Sequence, residues 1–166
     1  PSGTINWLTG ETVKTVTIQI VGDLVVEDQD DFRLTLSNPT SAEIRTSSVD
    51  VSITQEDSVL SLTADSATKA ESNSGTNNYD FTITRTGDLT NEATVEYTVS
   101  GGADVDASDF VGSNLPSGTV TLAAGQSTTT LSIPISGDIV AENDETFTVT
   151  LSNPSINVDI SDATET

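Results

Sequence analysis

Residues 1–39 align without a gap onto residues 116–154, from Pro1-Ser2-Gly3-Thr4 against Pro116-Ser117-Gly118-Thr119 to Leu36-Ser37-Asn38-Pro39 against Leu151-Ser152-Asn153-Pro154. Eighteen of these 39 positions are identical. A repeat of period 115 is too long for a solenoid unit and about the size of a whole domain. The frame of the repeat then dictates the organisation. Residues 1–57 read as the C-terminal half of one unit, and residues 58–166 as a second unit lacking its last strand. The chain opens in mid-pattern at Pro1, as a piece of something longer would.

Within both units the apolar period is two. Val16, Ile18 and Ile20 alternate with Thr17 and Gln19; Phe32, Leu34 and Leu36 with Arg33 and Thr35; Val49, Val51 and Ile53 with Asp50 and Ser52. The second unit repeats the habit in Val59–Leu62, Tyr79–Ile83, Thr94–Val99, Thr119–Leu122, Leu131–Ile135 and Phe147–Leu151. Each run predicts a half-buried strand, and no segment keeps helical spacing over three turns. Turn signals at Thr86-Gly87-Asp88, Ser100-Gly101-Gly102, Ala124-Gly125-Gln126 and Ser152-Asn153-Pro154 separate them. Short strands with Thr on one face and Val, Ile, Leu or Phe on the other predict an all-β fold of antiparallel, immunoglobulin-like β-sandwich repeats. Pro134 removes a backbone donor, so its strand belongs at an edge or a bulge. Near Gln55-Glu56-Asp57-Ser58 no long linker intervenes, so one unit's last strand leads almost directly into the next unit's first, as in a stiff rod.

Composition narrows the chemistry. Five Lys and Arg stand against 26 Asp and Glu, a formal charge of -21. Such a chain repels phosphate backbones and anionic lipid, which argues against nucleic acid and against membrane insertion. No run approaches the roughly 20 apolar residues of a spanning helix. With no Cys and no His, thiolate and imidazole metal sites, disulfides and histidine-based catalysis lose their residues.

The acids are not scattered evenly. Between Gly137 and Phe147, Asp138, Glu142, Asp144 and Glu145 fall within eight positions, and nothing basic lies among them. An earlier version, Gly22 to Phe32, keeps the glycine, the first acid as Asp23, Glu27 and the phenylalanine in register. Two like charges roughly 4 Å apart repel by about 4 kcal/mol at an effective dielectric near 20, so a loop built this way calls for a cation. Oxygen-only ligands on flexible loops select hard ions and suit calcium better than magnesium. Further acids stand at Glu71, at Asp104, Asp106 and Asp109, and at Glu56-Asp57. In a sandwich, loops at alternate strand junctions meet at one end, so these can converge. Asp104–Asp109 has the opening beat of an EF-hand, but the sixth place is Asp109 instead of Gly and the twelfth is Leu115 instead of Glu, and the match fails.

Gly137-Asp138 through Glu142 to Asp144-Glu145-Thr146-Phe147, followed by Leu151-Ser152-Asn153-Pro154, resembles the signature of Calx-beta domains. Glu71 ahead of a glycine, Ser108-Asp109-Phe110, and Ala124-Gly125-Gln126 in the place of Pro-Gly-Glu extend the resemblance over nearly the whole chain. It implies a calcium-binding sandwich of the kind repeated in large surface or secreted proteins. Carried over residue by residue, it implies the ligands Glu71, Asp109, Asp138, Glu142 and Glu145 in the second unit. In the first it implies Asp23, Glu27, Asp30, Glu56 and Asp57. The second unit stops before the family's closing strand and terminal acidic pair, and the first lacks counterparts of Glu71 and Asp109.

The expected function is a non-catalytic, calcium-binding structural or adhesive module of a secreted or cell-surface protein, partnered by Ca2+ and by neighbouring repeats. Residues 1–57 hold only about three strands, marginal alone. They are expected to dock on another copy as a strand-exchanged homodimer, or to lend Val49–Ile53 to the open edge of the second unit. The alternative is a protein- or carbohydrate-binding module without a functional metal, with Trp7 and Tyr97 as aromatic platforms. An intracellular calcium sensor is a third reading. An enzyme is the weakest, because the many serines have no histidine base and aromatic residues are scarce for a sugar cleft.

Overall fold

The computed structural model describes residues 1–66, 68–69, 72–102, 105–140 and 144–166. Ten strands follow in chain order: β1 Asp30–Thr35, β2 Ser48–Ile53, β3 Ser58–Ala64, β4 Gly75–Gly87, β5 Ala93–Gly101, β6 Ser117–Leu122, β7 Thr128–Gly137, β8 Phe147–Ser152, β9 Val158–Asp162 and β10 Thr164–Glu165. One 3-10 turn, Ala107–Asp109, interrupts them, and no α-helix occurs among the described residues. No helix among them is long and apolar enough to cross a membrane.

Residues 58–166 form the sandwich. One sheet has the order β7-β4-β3-β9 and the other β10-β8-β5-β6. All pairings are antiparallel except β3 with β9, which run parallel with Ser58 opposite Val158 and Leu60 opposite Ile160. The period-two pattern sends Leu60, Leu62, Phe81, Ile83, Leu131 and Ile133 of the first sheet, and Val95, Val99, Leu122, Val149 and Leu151 of the second, into one core. Thr and Ser take the outward positions, where a β-branched or small polar residue suits the pleat. Full burial of each large aliphatic side chain contributes about 1.5–3 kcal/mol. Pro134 lies on β7, the edge strand of its sheet. Its carbonyl accepts from Val111 N–H at 3.2 Å, and Phe110 bridges Ile135, so the β5–β6 loop covers part of that edge.

Residues 1–57 are a different case. They contribute one two-stranded sheet, β1 with β2, in antiparallel register from Asp30 opposite Ile53 to Thr35 opposite Ser48. Among the described residues every buried one lies at or beyond Asp57. The strand expected at Val16, Ile18 and Ile20 does not form. Its counterpart in the repeat is β7, which is held by ten register pairs to β4, and residues 1–57 contain no segment equivalent to β4. Without that partner, backbone donors and acceptors turn to water, and Val13, Val16, Ile20 and Val21 are exposed. Trp7 is likewise exposed at 54%. Its place corresponds to β6, whose partner is β5. β2 forms as expected but is exposed instead of half-buried, since no second sheet lies over it. It stays on β1 and does not move to the β8 edge, where two-residue β10 pairs instead.

The junction between β2 and β3 is short, as the sequence predicts. Only Thr54–Asp57 separate the two strands. Asp57 is 8% exposed, and its carbonyl accepts from Asp88 N–H at 2.9 Å. The next N–H, from Ser58, donates to Asn157 O at 3.0 Å. Buried Arg85 donates from Nε to Ser58 Oγ at 3.1 Å and from Nη1 to Asn91 O at 2.7 Å. Gly87, at φ 91°, packs so closely on Asp57 O and the Val26 side chain that a Cβ would overlap them.

Candidate metal centre

At one end of the sandwich three loops converge: β3–β4, β5–β6 and β7–β8. They enclose a cavity of about 640 Å³ whose rim carries Asp109, Asp138, Asp144 and Glu145. Below the rim lie Tyr79, Phe81, Phe110 and Phe147. The Phe147 ring meets the other three edge-on at centroid distances of 5.4 Å, 6.1 Å and 5.7 Å. This arrangement follows from sequence. Phe81 points inward by the β4 alternation, and Phe110 is anchored on the β7 edge just after the 3-10 turn that presents Asp109.

That turn is capped reciprocally. Asp106 accepts from Ser108 N–H at 2.6 Å, and Asp109 Oδ2 accepts from Asp106 N–H at 2.7 Å. A carboxylate closing its own turn in this way is held in place. The Ser108 hydroxyl and backbone N–H hold the Asp106 carboxyl below its ordinary range. Asp106 itself does not line the cavity.

A second, smaller cavity of about 110 Å³ lies in residues 1–57. Asp23, Glu27, Asp30, Glu56 and Asp57 all line it, with Asp28 beside them. All five acids expected in this unit therefore line one cavity. Of the five expected in the second unit, Asp109, Asp138 and Glu145 share the larger cavity. Glu71 and Glu142, like Asp104, lie outside the described residues.

The two cavities share a local motif. Asp138 Oδ1 accepts from Val140 N–H at 2.6 Å, and Asp23 Oδ1 accepts from Val25 N–H at 2.9 Å. This is an Asx turn, in which a short acid satisfies the backbone two residues on. It fixes one carboxylate oxygen at the mouth of each loop. In the smaller cavity Gln55 performs a task that sequence reasoning missed. Its Oε1 accepts from the N–H groups of Glu56 and Asp57 at 2.9 Å and 3.2 Å, and its Nε2 donates to Val25 O at 3.5 Å. It thus ties the acidic pair to the acidic loop. Its position directly before two adjacent acids was the available signal. Lys69, on the wall of the larger cavity, was also missed.

By donor chemistry the groups fit a hard cation, since both cavities offer carboxylate and carbonyl oxygen without sulfur or imidazole. Among the described residues, however, no three acids stand close enough together to hold an ion.

The family model described as Calx-beta domain matches residues 1–58 and again 55–165. Among solved structures, the "Apo-form Calx CBD1 domain" is 23% identical at a TM-score of 0.50, covering 66% of this chain and 94% of that one. That likeness establishes a shared fold. "CBD12 from CALX1.2" is 28% identical with a TM-score of 0.46, covering 51% of this chain and 33% of its own. "Calcium binding domain CBD12 of CALX1.1" is 32% identical with a TM-score of 0.43, covering 49% and 32%. This chain thus spans about a third of each CBD12 structure. Among curated proteins, none matches the chain.

Proposed function

Because this chain belongs to the Calx-beta domain family, we propose that its two acidic ends are calcium sites of a non-catalytic structural module, working in series with neighbouring repeats. The observation that carries this reading is the smaller cavity. Asp23, Glu27 and Asp30 reach it from one loop, and Glu56 and Asp57 from about thirty residues further along the chain. Acids so far apart in sequence come to line one cavity through the fold and not through local propensity. The larger cavity supports the same reading with Asp109, Asp138 and Glu145 from two loops.

In the first cavity the ion's holders are Asp23, Glu27, Asp30, Glu56 and Asp57. In the second they are Asp109, Asp138 and Glu145, with Glu71 and Glu142 assigned by the family resemblance alone. When bound, calcium supplies two positive charges that relieve the repulsion among these groups. The chain's own part is to present oxygens: the Asx turns orient Asp23 and Asp138, the capping box orients Asp109, and Gln55 holds the Glu56–Asp57 backbone. Because Asp57 leads straight into β3, a filled first cavity fixes the joint between units, and occupancy becomes folding free energy. Ca2+ at extracellular concentrations near millimolar fills even weak sites of this kind. That agrees with a secreted or cell-surface location and an adhesive role.

Thermal melting with calcium, with chelator and with magnesium tests the proposal. Calcium raises Tm by several degrees, and magnesium does so much less. Tyr79 lines the larger cavity, so Tb3+ bound there is sensitised by tyrosine excitation, and Tyr79→Phe abolishes that component. Unchanged melting with no Tb3+ signal would reduce the acids to surface charge.

A further inference from the structure

The basic residues are few, and one of them is placed oddly. Of the five in the chain, Lys14 and Arg33 pair with Glu11 and Asp50, and Arg85 is buried at the junction. Lys69 alone lines either cavity among the described residues, on the wall that also carries Asp109, Asp138, Asp144 and Glu145. It is held there at both ends. Its Nζ donates to Asn78 O and lies 5.4 Å from the Tyr79 ring centroid, while the Tyr79 hydroxyl donates to Lys69 O at 2.7 Å. A lysine stem normally keeps its rotamer freedom in water. Here a hydrogen bond and a ring contact hold the ammonium against Asn78 O and Tyr79, on a residue that shares the cavity lining with the four acids.

We infer that Lys69 is a tethered competitor for the cation: its ammonium partly neutralises the empty cavity of residues 58–166 and sets a ceiling on that cavity's divalent affinity. This deepens the calcium reading and rests on it. The physics has two opposite consequences. Without metal, one fixed positive charge offsets the mutual repulsion of the rim carboxylates and stabilises the loops. With metal, the same charge repels the incoming ion. A positive charge on the wall of a solvated cavity weakens divalent binding there by about three- to tenfold. The smaller cavity has six acids and no ammonium among its lining residues, so this setting belongs to the second unit only.

The test uses the full chain carrying Asp23→Asn and Glu27→Gln to silence the smaller cavity, with Ca2+ followed by titration calorimetry and Tm measured in chelator. Lys69→Met is expected to bind Ca2+ about three- to tenfold more tightly than its parent and to melt lower in chelator. Lys69→Arg, which keeps the charge, is expected to restore the parent's weaker affinity. A tighter site combined with a less stable metal-free fold is an outcome that a damaged structure does not produce. If the parent binds Ca2+ and Lys69→Met binds it equally or more weakly, the inference about Lys69 is wrong while the calcium reading stands. If neither parent nor variant binds, both fall together.

Discussion

The loops Gly22–Phe32 and Gly137–Phe147 occupy equivalent places in the repeat and sit in unlike surroundings. Both close with an Asx turn on their first acid, and both feed a strand that pairs antiparallel with a later one. There the likeness stops. A Cβ on Gly137 would collide with Ser72 O, whereas one on Gly22 would meet nothing within 4 Å. Phe147, half-buried, meets three aromatic rings edge-on, whereas its counterpart Phe32, also half-buried, rests on a two-stranded sheet. The turn is therefore written locally, in a few residues that satisfy their own backbone. The strand leading into it and the aromatic packing behind it depend on β3, β4 and the β5–β6 loop, whose equivalents lie outside residues 1–57.

The largest test of this contrast is to supply what is missing. Placing a second copy of residues 58–115 ahead of Pro1 should convert residues 13–22 into a strand paired like β7. Hydrogen exchange should then show protection at Val16, Ile18 and Ile20 by several orders of magnitude, and calorimetric enthalpy should rise by about 0.7 kcal/mol per newly ordered residue. Continued rapid exchange would mean that the repeat is not interchangeable.

Next in size is a matched pair of truncations. Ile133→Ala opens a hole in the core and should cost about 2–5 kcal/mol in denaturant unfolding. Ile18→Ala, at the equivalent repeat position, should stay within about 0.5 kcal/mol. Comparable losses at both would show that residues 1–57 are packed after all.

A smaller contrast concerns the acids themselves. Asp138→Asn and Asp23→Asn should each remove part of the calcium-dependent rise in Tm, by a few degrees. The Asp138 change should also remove Tyr79-sensitised Tb3+ emission, and the Asp23 change should not. Identical effects on emission would place the ion somewhere other than the two cavities.

The smallest effect is one of pH. Arg33 faces Asp50 across β1–β2, with Nη2 donating to Asp50 Oδ2 at 2.9 Å, and this guanidinium holds the Asp50 carboxyl below its ordinary range. The equivalent place on β8 and beside β10 carries Thr148 and Thr166, hydroxyl to hydroxyl at 2.9 Å. A depressed folded-state pKa means that the unfolded chain binds more protons. The contribution is therefore complete above the ordinary aspartate range and fades as pH falls through the depressed value. Acid, or high salt, should slightly lower the protection of β1–β2 amides relative to the unstructured exchange rate at the same pH, and leave the Thr148–Thr166 pair unmoved.

Much of the sandwich was legible in the sequence because its strands carry strict alternation over five or more residues, and Pro134 announced an edge. β9 was not. Val158 and Ile160 alternate too briefly, and the strand exists because β3, about a hundred residues earlier, offers it a parallel edge. The strand expected at Val16–Ile20 failed for the converse reason: the pattern was present and the partner was not. Asp23, Glu27 and Asp30 stood out because the repeat places acids again at Asp138, Glu142 and Glu145. Glu56 and Asp57 have no second copy in the sequence and stood out only as an acidic pair at the end of their unit. Lys69 and Gln55 did not, since their roles come from where a side chain folds back, and no spacing rule records that.

The parallel pairing of β3 with β9 has a mechanical meaning. Tension applied between Ser58 and Thr166 would drag those two neighbours in opposite directions along their common axis. Their hydrogen bonds would share the load abreast instead of parting in succession, so the unit would resist stretching far better than one whose terminal strands peel apart.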